Sequence, residues 1–119
     1  MRIGLDVDGT VYDWEANCRA ILKRLHGLDL PVSSEWDSIY NSCTDDQWNS
    51  VWYGARHELF TLGEYYPGSQ KMVKQLLDNK HEVVFITATP KEVRSIRASL
   101  LFVDFPGIMG VIFIEPGSD

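Results

Sequence analysis

Three short apolar runs punctuate this chain, and between them the apolar residues recur at helical spacing. Arg2-Ile3-Gly4-Leu5-Asp6-Val7, Glu82-Val83-Val84-Phe85-Ile86-Thr87 and Met109-Gly110-Val111-Ile112-Phe113-Ile114 are short and rich in β-branched residues. Runs of that kind predict strands over 2–7, 82–87 and 109–114, the first two buried on both faces. Gly107 precedes the third run and Pro116-Gly117 follow it, which bounds it as a strand. Strands separated by helical stretches predict a parallel sheet.

The helices follow from spacing and from their ends. Trp14, Cys18, Ile21, Leu22 and Leu25 form one apolar stripe that stops at Gly27. Thr44-Asp45-Asp46-Gln47 has the form of a capping box, so Thr44 is expected to start a helix that buries Trp48, Val51, Trp52 and Ala55. Pro67-Gly68 opens a helix with Met72, Val73, Leu76 and Leu77 inward. Thr89-Pro90 opens the last, with Thr89 as N-cap, Pro90 at the first helical position, and Val93, Ile96 and Leu100 on the buried face.

About seventy residues separate the first two strand runs, where a crossover needs only ~10–12. The expected architecture is therefore α/β: a single domain over 1–119 whose Rossmann-like core is formed by 1–13 and 65–119. A small helical cap over about 14–64 is inserted after the first strand. All four tryptophans fall in that insertion, and their helix-facing spacing makes them first of all its core. Trp14, Trp48 and Trp52 are the candidates for stacking on a substrate ring.

Composition narrows the partners. A hydrophobic fraction of 45% and a charged fraction of 24% are those of an ordinary globular domain. The formal charge of -6 argues against a nucleic-acid polymer, which requires clustered Lys and Arg. No apolar stretch approaches the ~20 residues of a membrane span, and no signal-peptide pattern opens the chain, so a cytoplasmic location is expected. Cys18 and Cys43 stand alone and read as reduced thiols.

The chemistry concentrates at strand ends. Asp6 and Asp8 close the first run, and Gly9-Thr10 turns the chain directly after them. Two carboxylates that close repel one another unless a cation or hydrogen-bond donors stand between them, so such pairs mark candidate Mg²⁺ sites. An EF-hand fails on spacing, since position twelve counted from Asp6 is Asn17, and no P-loop sequence occurs. Thr87, with Ala88 and Thr89 at the start of the last helix, offers a hydroxyl and backbone N–H groups to an anion. Both pieces end neighbouring parallel strands, where open α/β sheets bind ligands.

Ile3-Gly4-Leu5-Asp6-Val7-Asp8-Gly9-Thr10-Val11 resembles the first motif of the haloacid dehalogenase (HAD) superfamily, and Val83-Val84-Phe85-Ile86-Thr87 resembles the second. Within it, Asp8-Gly9-Thr10-Val11-Tyr12-Asp13-Trp14-Glu15, Tyr66-Pro67-Gly68-Ser69 and Thr87-Ala88-Thr89-Pro90 are similar to segments of the 5′(3′)-deoxyribonucleotidases. The resemblance implies a phosphomonoesterase acting on (deoxy)nucleoside monophosphates through an aspartyl-phosphate. Asp6 would be the nucleophile and Asp8 the general acid and base, with Gly9, Thr10, Thr87 and Ala88 around the phosphate. Mg²⁺ would be held at Asp6 and Asp8, through the carboxylate of the first and the backbone carbonyl of the second.

The sequence also departs from that pattern. A lysine expected after the third strand and the late aspartates of the family are not found through Asp119, and Lys91 is a weak substitute. The core is accordingly expected to be incomplete, with the chain by itself weakly active or inactive. A homodimer, or a complementing C-terminal segment beside the first strand, would complete it. The alternative is a non-catalytic remnant that binds phosphate or a protein.

Overall fold

The computed structural model describes residues 1–35 and 37–116. Trp36 and the loop positions Gly117, Ser118 and Asp119, read above as cap and post-strand loop, lie outside the described residues. The chain divides into two compact units, Met1–Asp13 with Tyr65–Asp119, and Trp14–Glu64.

The first unit is α/β. Its sheet has three parallel strands in the order β1 (Arg2–Asp6), β2 (Glu82–Ala88) and β3 (Gly110–Ile114). Leu5 pairs in register with Phe85 and Phe85 with Val111, while Asp6 pairs with Ile86 and Thr87 with Phe113. Because successive side chains alternate between faces, Val83, Phe85 and Thr87 share one face. All three are buried. Phe85 meets Phe105 edge to face at 5.0 Å, and Phe105 meets Tyr65 at 4.9 Å, which makes an aromatic spine beneath the sheet.

The opposite face is more open: Ile112 and Ile114 are 53% and 45% exposed, and Gly4 is exposed. This corrects the expectation that the first strand is buried on both faces. Arg2, Gly4 and Asp6, which share one face of β1, are all exposed, and β1 has a neighbouring strand on one side only among the described residues.

After β1 the chain turns on itself. The Val7 carbonyl accepts from the N–H groups of Thr10, Val11 and Tyr12, and Gly9 takes a φ of 83°, a left-handed value that glycine adopts without a Cβ penalty. The Val11 carbonyl then accepts from Tyr66 N–H at 2.8 Å and from the Ser69 hydroxyl at 3.2 Å. Those bonds tie the two sequence-distant segments of this unit together just before α5 (Ser69–Asp78). In α5 only Val73 of the four predicted inward residues is fully buried, and Met72 is exposed.

Helix α6 (Lys91–Asp104) is rotated from its expected face. It buries Val93, Arg97 and Leu101, an i, i+4, i+8 stripe, while Ile96 is 40% exposed. Pro90, not Thr89, occupies the N-cap position, and no side chain caps the helix. The Thr89 hydroxyl is buried and bonded elsewhere.

The second unit is all helical: α1 (Trp14–His26), α2 (Ser38–Asn41), α3 (Asp45–Trp52) and α4 (Arg56–Thr61). Cys18, Ile21, Leu22, Ile39, Val51, Leu59 and Phe60 form its core, whereas Leu25 at the end of the predicted stripe is 43% exposed. The Asn17 amide donates to the carbonyls of Glu58 and Leu59 at 2.9 and 3.0 Å and so fixes α1 to α4. Thr44 makes the full capping box with Gln47, as its sequence predicts. No described helix is long and apolar enough to cross a membrane.

Candidate functional site

At the carboxyl ends of β1 and β2 three polar side chains, those of Asp8, Thr87 and Thr89, meet around one guanidinium. Arg97, on the buried stripe of α6, is 2% exposed and is the one buried charged residue among those described. Its Nη1 donates to the Thr87 and Thr89 hydroxyls at 3.1 and 3.0 Å and to Asp8 Oδ2 at 3.0 Å. Its Nη2 donates to Asp8 Oδ1, so the carboxylate is gripped by both of its oxygens. Thr87 Oγ1 lies 3.0 Å from Thr89 Oγ1 and donates to Asp8 Oδ2 at a long 3.4 Å.

Each partner is needed for this arginine to be buried at all. An unpaired charge removed from water is strongly unfavourable, whereas a planar guanidinium facing both oxygens of a carboxylate is the strongest pairing available to it. The Tyr12 ring covers the guanidinium at 4.9 Å and adds a cation–π contact. Tyr12 meets Tyr65 at 6.0 Å. The Tyr65 hydroxyl donates to Asp104 at 2.6 Å, and burial together with that carboxylate pushes its pKa upward.

Asp8 and Thr87 are brought together. Asp6 ends β1 beside Ile86, exposed, with no side-chain partner among the described residues. The Gly9 and Thr10 N–H groups are engaged within the turn, to Tyr12 and Val7 carbonyls at 3.0 and 3.2 Å, so Thr10 has its hydroxyl to offer. Ala88 closes β2. Trp14, Trp48 and Trp52 cluster among themselves in the helical unit, with Trp48 stacked on Trp52 at 6.2 Å and 12°. The Lys91 side chain is 77% exposed and lies 3.9 Å from Glu115.

Arg97 and the Tyr12 ring are absent from the sequence-derived site residues, while Thr89, expected as the N-cap of the last helix, instead turns its hydroxyl to the guanidinium. The one sequence signal for Arg97 is the i, i+4, i+8 spacing of Val93, Arg97 and Leu101, which a purely apolar count discards.

Among the described residues no group of three or more His, Cys, Asp and Glu is placed to hold a metal ion. Mg²⁺ asks for less: one or two carboxylates, with water and phosphate oxygens completing its octahedron. The exposed Asp6 carboxylate with the Asp8 carbonyl is compatible with that demand, while the Asp8 carboxylate is already engaged by Arg97.

No known family model matches the chain. It is similar to a protein of Oceanobacillus iheyensis named "Putative nucleotidase", with 28% identity over 102 residues covering 76% of this chain. The chain spans 52% of that relative's length.

Proposed function

We propose that this chain carries the phosphoryl-binding face of a HAD-type phosphomonoesterase, with nucleoside monophosphates as its substrate class. The observation that supports it best is the convergence of Asp8, Thr87, Thr89 and the buried Arg97 at the ends of adjacent parallel strands, beyond which Asp6 is exposed. The name of the Oceanobacillus relative points the same way.

In this reading an Asp6 oxygen attacks phosphorus and the bond from phosphorus to the leaving oxygen breaks, giving an aspartyl-phosphate. Asp8 gives a proton to the departing alkoxide and then takes one from the water that attacks phosphorus, which releases phosphate and restores Asp6. Once Asp8 turns from them towards the leaving oxygen, the Thr87 hydroxyl donates a hydrogen bond to an equatorial oxygen and the Arg97 guanidinium offsets the negative charge there during transfer. Arg97 thereby takes the place of the lysine that the resemblance leads one to expect after β3. Mg²⁺ bound at Asp6 and the Asp8 carbonyl would shield the dianion from the attacking carboxylate.

The grip of Arg97 on Asp8 favours a second reading, a module that binds phosphate without turning it over, because Asp8 must loosen from the guanidinium to serve as acid and base. Among the described residues the outer edge of β1 has no neighbour, and completion there by a strand from a second copy or a complementing segment would assist either reading.

The test is Mg²⁺-dependent phosphate release from a panel of monophosphates, with Asp6→Asn as the control and phosphate binding followed by ³¹P NMR. Release that Asp6→Asn abolishes supports the esterase. Arg97-dependent binding without release supports the module, and the absence of both overturns the two readings together.

A further inference from the structure

The helical unit holds a cavity of about 230 Å³ lined by Trp14, Glu15, Asp37, Ile39, Tyr40 and Trp48. We propose that this cavity binds a small organic cation of the quaternary or alkylated ammonium class, because three aromatic rings and two carboxylates converge on it.

The walls suit that chemistry. Trp14 and Trp48 lie 6.2 Å apart and inclined at 59°, and Tyr40 stands at 85° to Trp48 with centroids 5.5 Å apart. Rings set at steep angles present faces in several directions, and a ring face carries the negative part of the quadrupole that attracts a cation. An alkylated ammonium gains twice in such a corner, from its charge and from burying its methyl groups.

The charged groups reinforce the preference. Among the described residues that line the cavity, Glu15 and Asp37 carry the charge, and both are carboxylates. Arg19, 3.8 Å from Glu15, balances part of that charge without lining the cavity. An anion would be repelled here. A neutral flat ring would gain the stacking but would leave the carboxylates without a use.

The same aromatic row already holds one cation. Trp48 stacks on Trp52, and the Arg56 guanidinium lies 5.0 Å from the Trp52 ring and 4.9 Å from that of Tyr53. Trp52 also meets Phe60 at 5.7 Å and Trp14 meets Phe60 at 6.3 Å, so the rings are braced against the unit's core. Braced walls lose little freedom on binding. The inference is independent of the phosphate reading, since every residue it uses lies within Trp14–Glu64.

The experiment is calorimetric titration of the whole chain with choline, tetramethylammonium and 3,3-dimethyl-1-butanol, the uncharged carbon isostere of choline, at fixed ionic strength. Saturable binding of both cations is expected with a dissociation constant on the order of 1 mM or tighter, the isostere binding at least about tenfold more weakly. Glu15→Gln with Asp37→Asn should weaken choline about threefold or more, and Trp48→Leu about tenfold, with the fold checked by circular dichroism. The carboxylate variant keeps the test sound if Trp48→Leu unfolds the unit. Equal binding of choline and its isostere, no saturation by either cation, or unchanged affinity in the carboxylate variant overturns the proposal.

Discussion

Asp8 and Arg97, separated by 89 positions in sequence, form a two-pronged ion pair in which the arginine is 2% exposed and the carboxylate 28%. The pair joins the turn after β1 to the middle of α6. It therefore serves both the stability of the unit and whatever chemistry its open end performs.

Breaking the pair from either side should be costly. Asp8→Asn leaves a buried guanidinium without its counter-charge, and Arg97→Met leaves Asp8, Thr87 and Thr89 without a common donor. Each should lower stability by about 2–4 kcal/mol in urea unfolding. The double variant should lose less than the sum, with a coupling of about 1–3 kcal/mol. Additive losses would show that the pair contributes nothing beyond its separate halves.

Function should distinguish charge from shape at the same position. Arg97→Lys keeps the charge and loses the fork that meets both Asp8 oxygens, so phosphate binding should weaken by about tenfold, with Arg97→Met losing it altogether. Titration followed by ³¹P NMR measures both variants. Chelation with EDTA should abolish any turnover while leaving the far-ultraviolet circular dichroism spectrum unchanged.

In the helical unit, Thr44→Ala removes the hydroxyl that accepts from Gln47 N–H at 3.1 Å. A lost N-cap costs about 1 kcal/mol, and the reciprocal bond from Thr44 N–H to Gln47 at 2.8 Å is left unsupported. The midpoint of denaturant unfolding should fall accordingly, and Thr44→Ser should restore most of it.

The two thiols should separate with pH. Burial, with a smaller contribution from Cys43, pushes the Cys18 thiol up to about 12, and burial beside Asp45 raises Cys43 as well. Cys18 is fully buried and Cys43 only partly so, and a disulfide reagent at pH 8 should label Cys43 long before Cys18. A folded pKa above the unfolded one favours the native state fully below the unfolded value, near 9. That contribution is lost as pH climbs from there towards the folded value. Stability measured from pH 8 to 11 should therefore fall, and fall less steeply in Cys18→Ala.

Local patterns in the sequence carry the order of the elements. The three apolar runs became β1, β2 and β3 in a parallel α/β sheet, and the Thr44 box and the stops at Gly27 and Pro67-Gly68 lie where helices begin or end. These signals are legible because they arise from neighbours: alternation, helical period and backbone hydrogen bonds are settled within a few residues. Thr87 at a strand end beside an acid-bearing turn was legible for the same reason, since parallel strands deliver their carboxyl ends to one side.

The tertiary structure decided the rest. Which face of α6 turns inward could not be read from Val93, Ile96 and Leu100, because an arginine counts against burial until its partner is known. Asp8, Thr87 and Thr89 supply that partner only when the sheet has formed, and together they rotate the helix to bury Arg97 in place of Ile96. Thr89 left its expected capping role for the same reason, its hydroxyl being worth more inside the cluster than at a helix end that water can reach. The exposure of β1 was likewise invisible along the chain, since the sequence announces a strand but not how many neighbours it has. Asp6 and Asp8 were written in the sequence as a pair. Only the fold separated them, leaving one exposed and giving the other to an arginine from far along the chain.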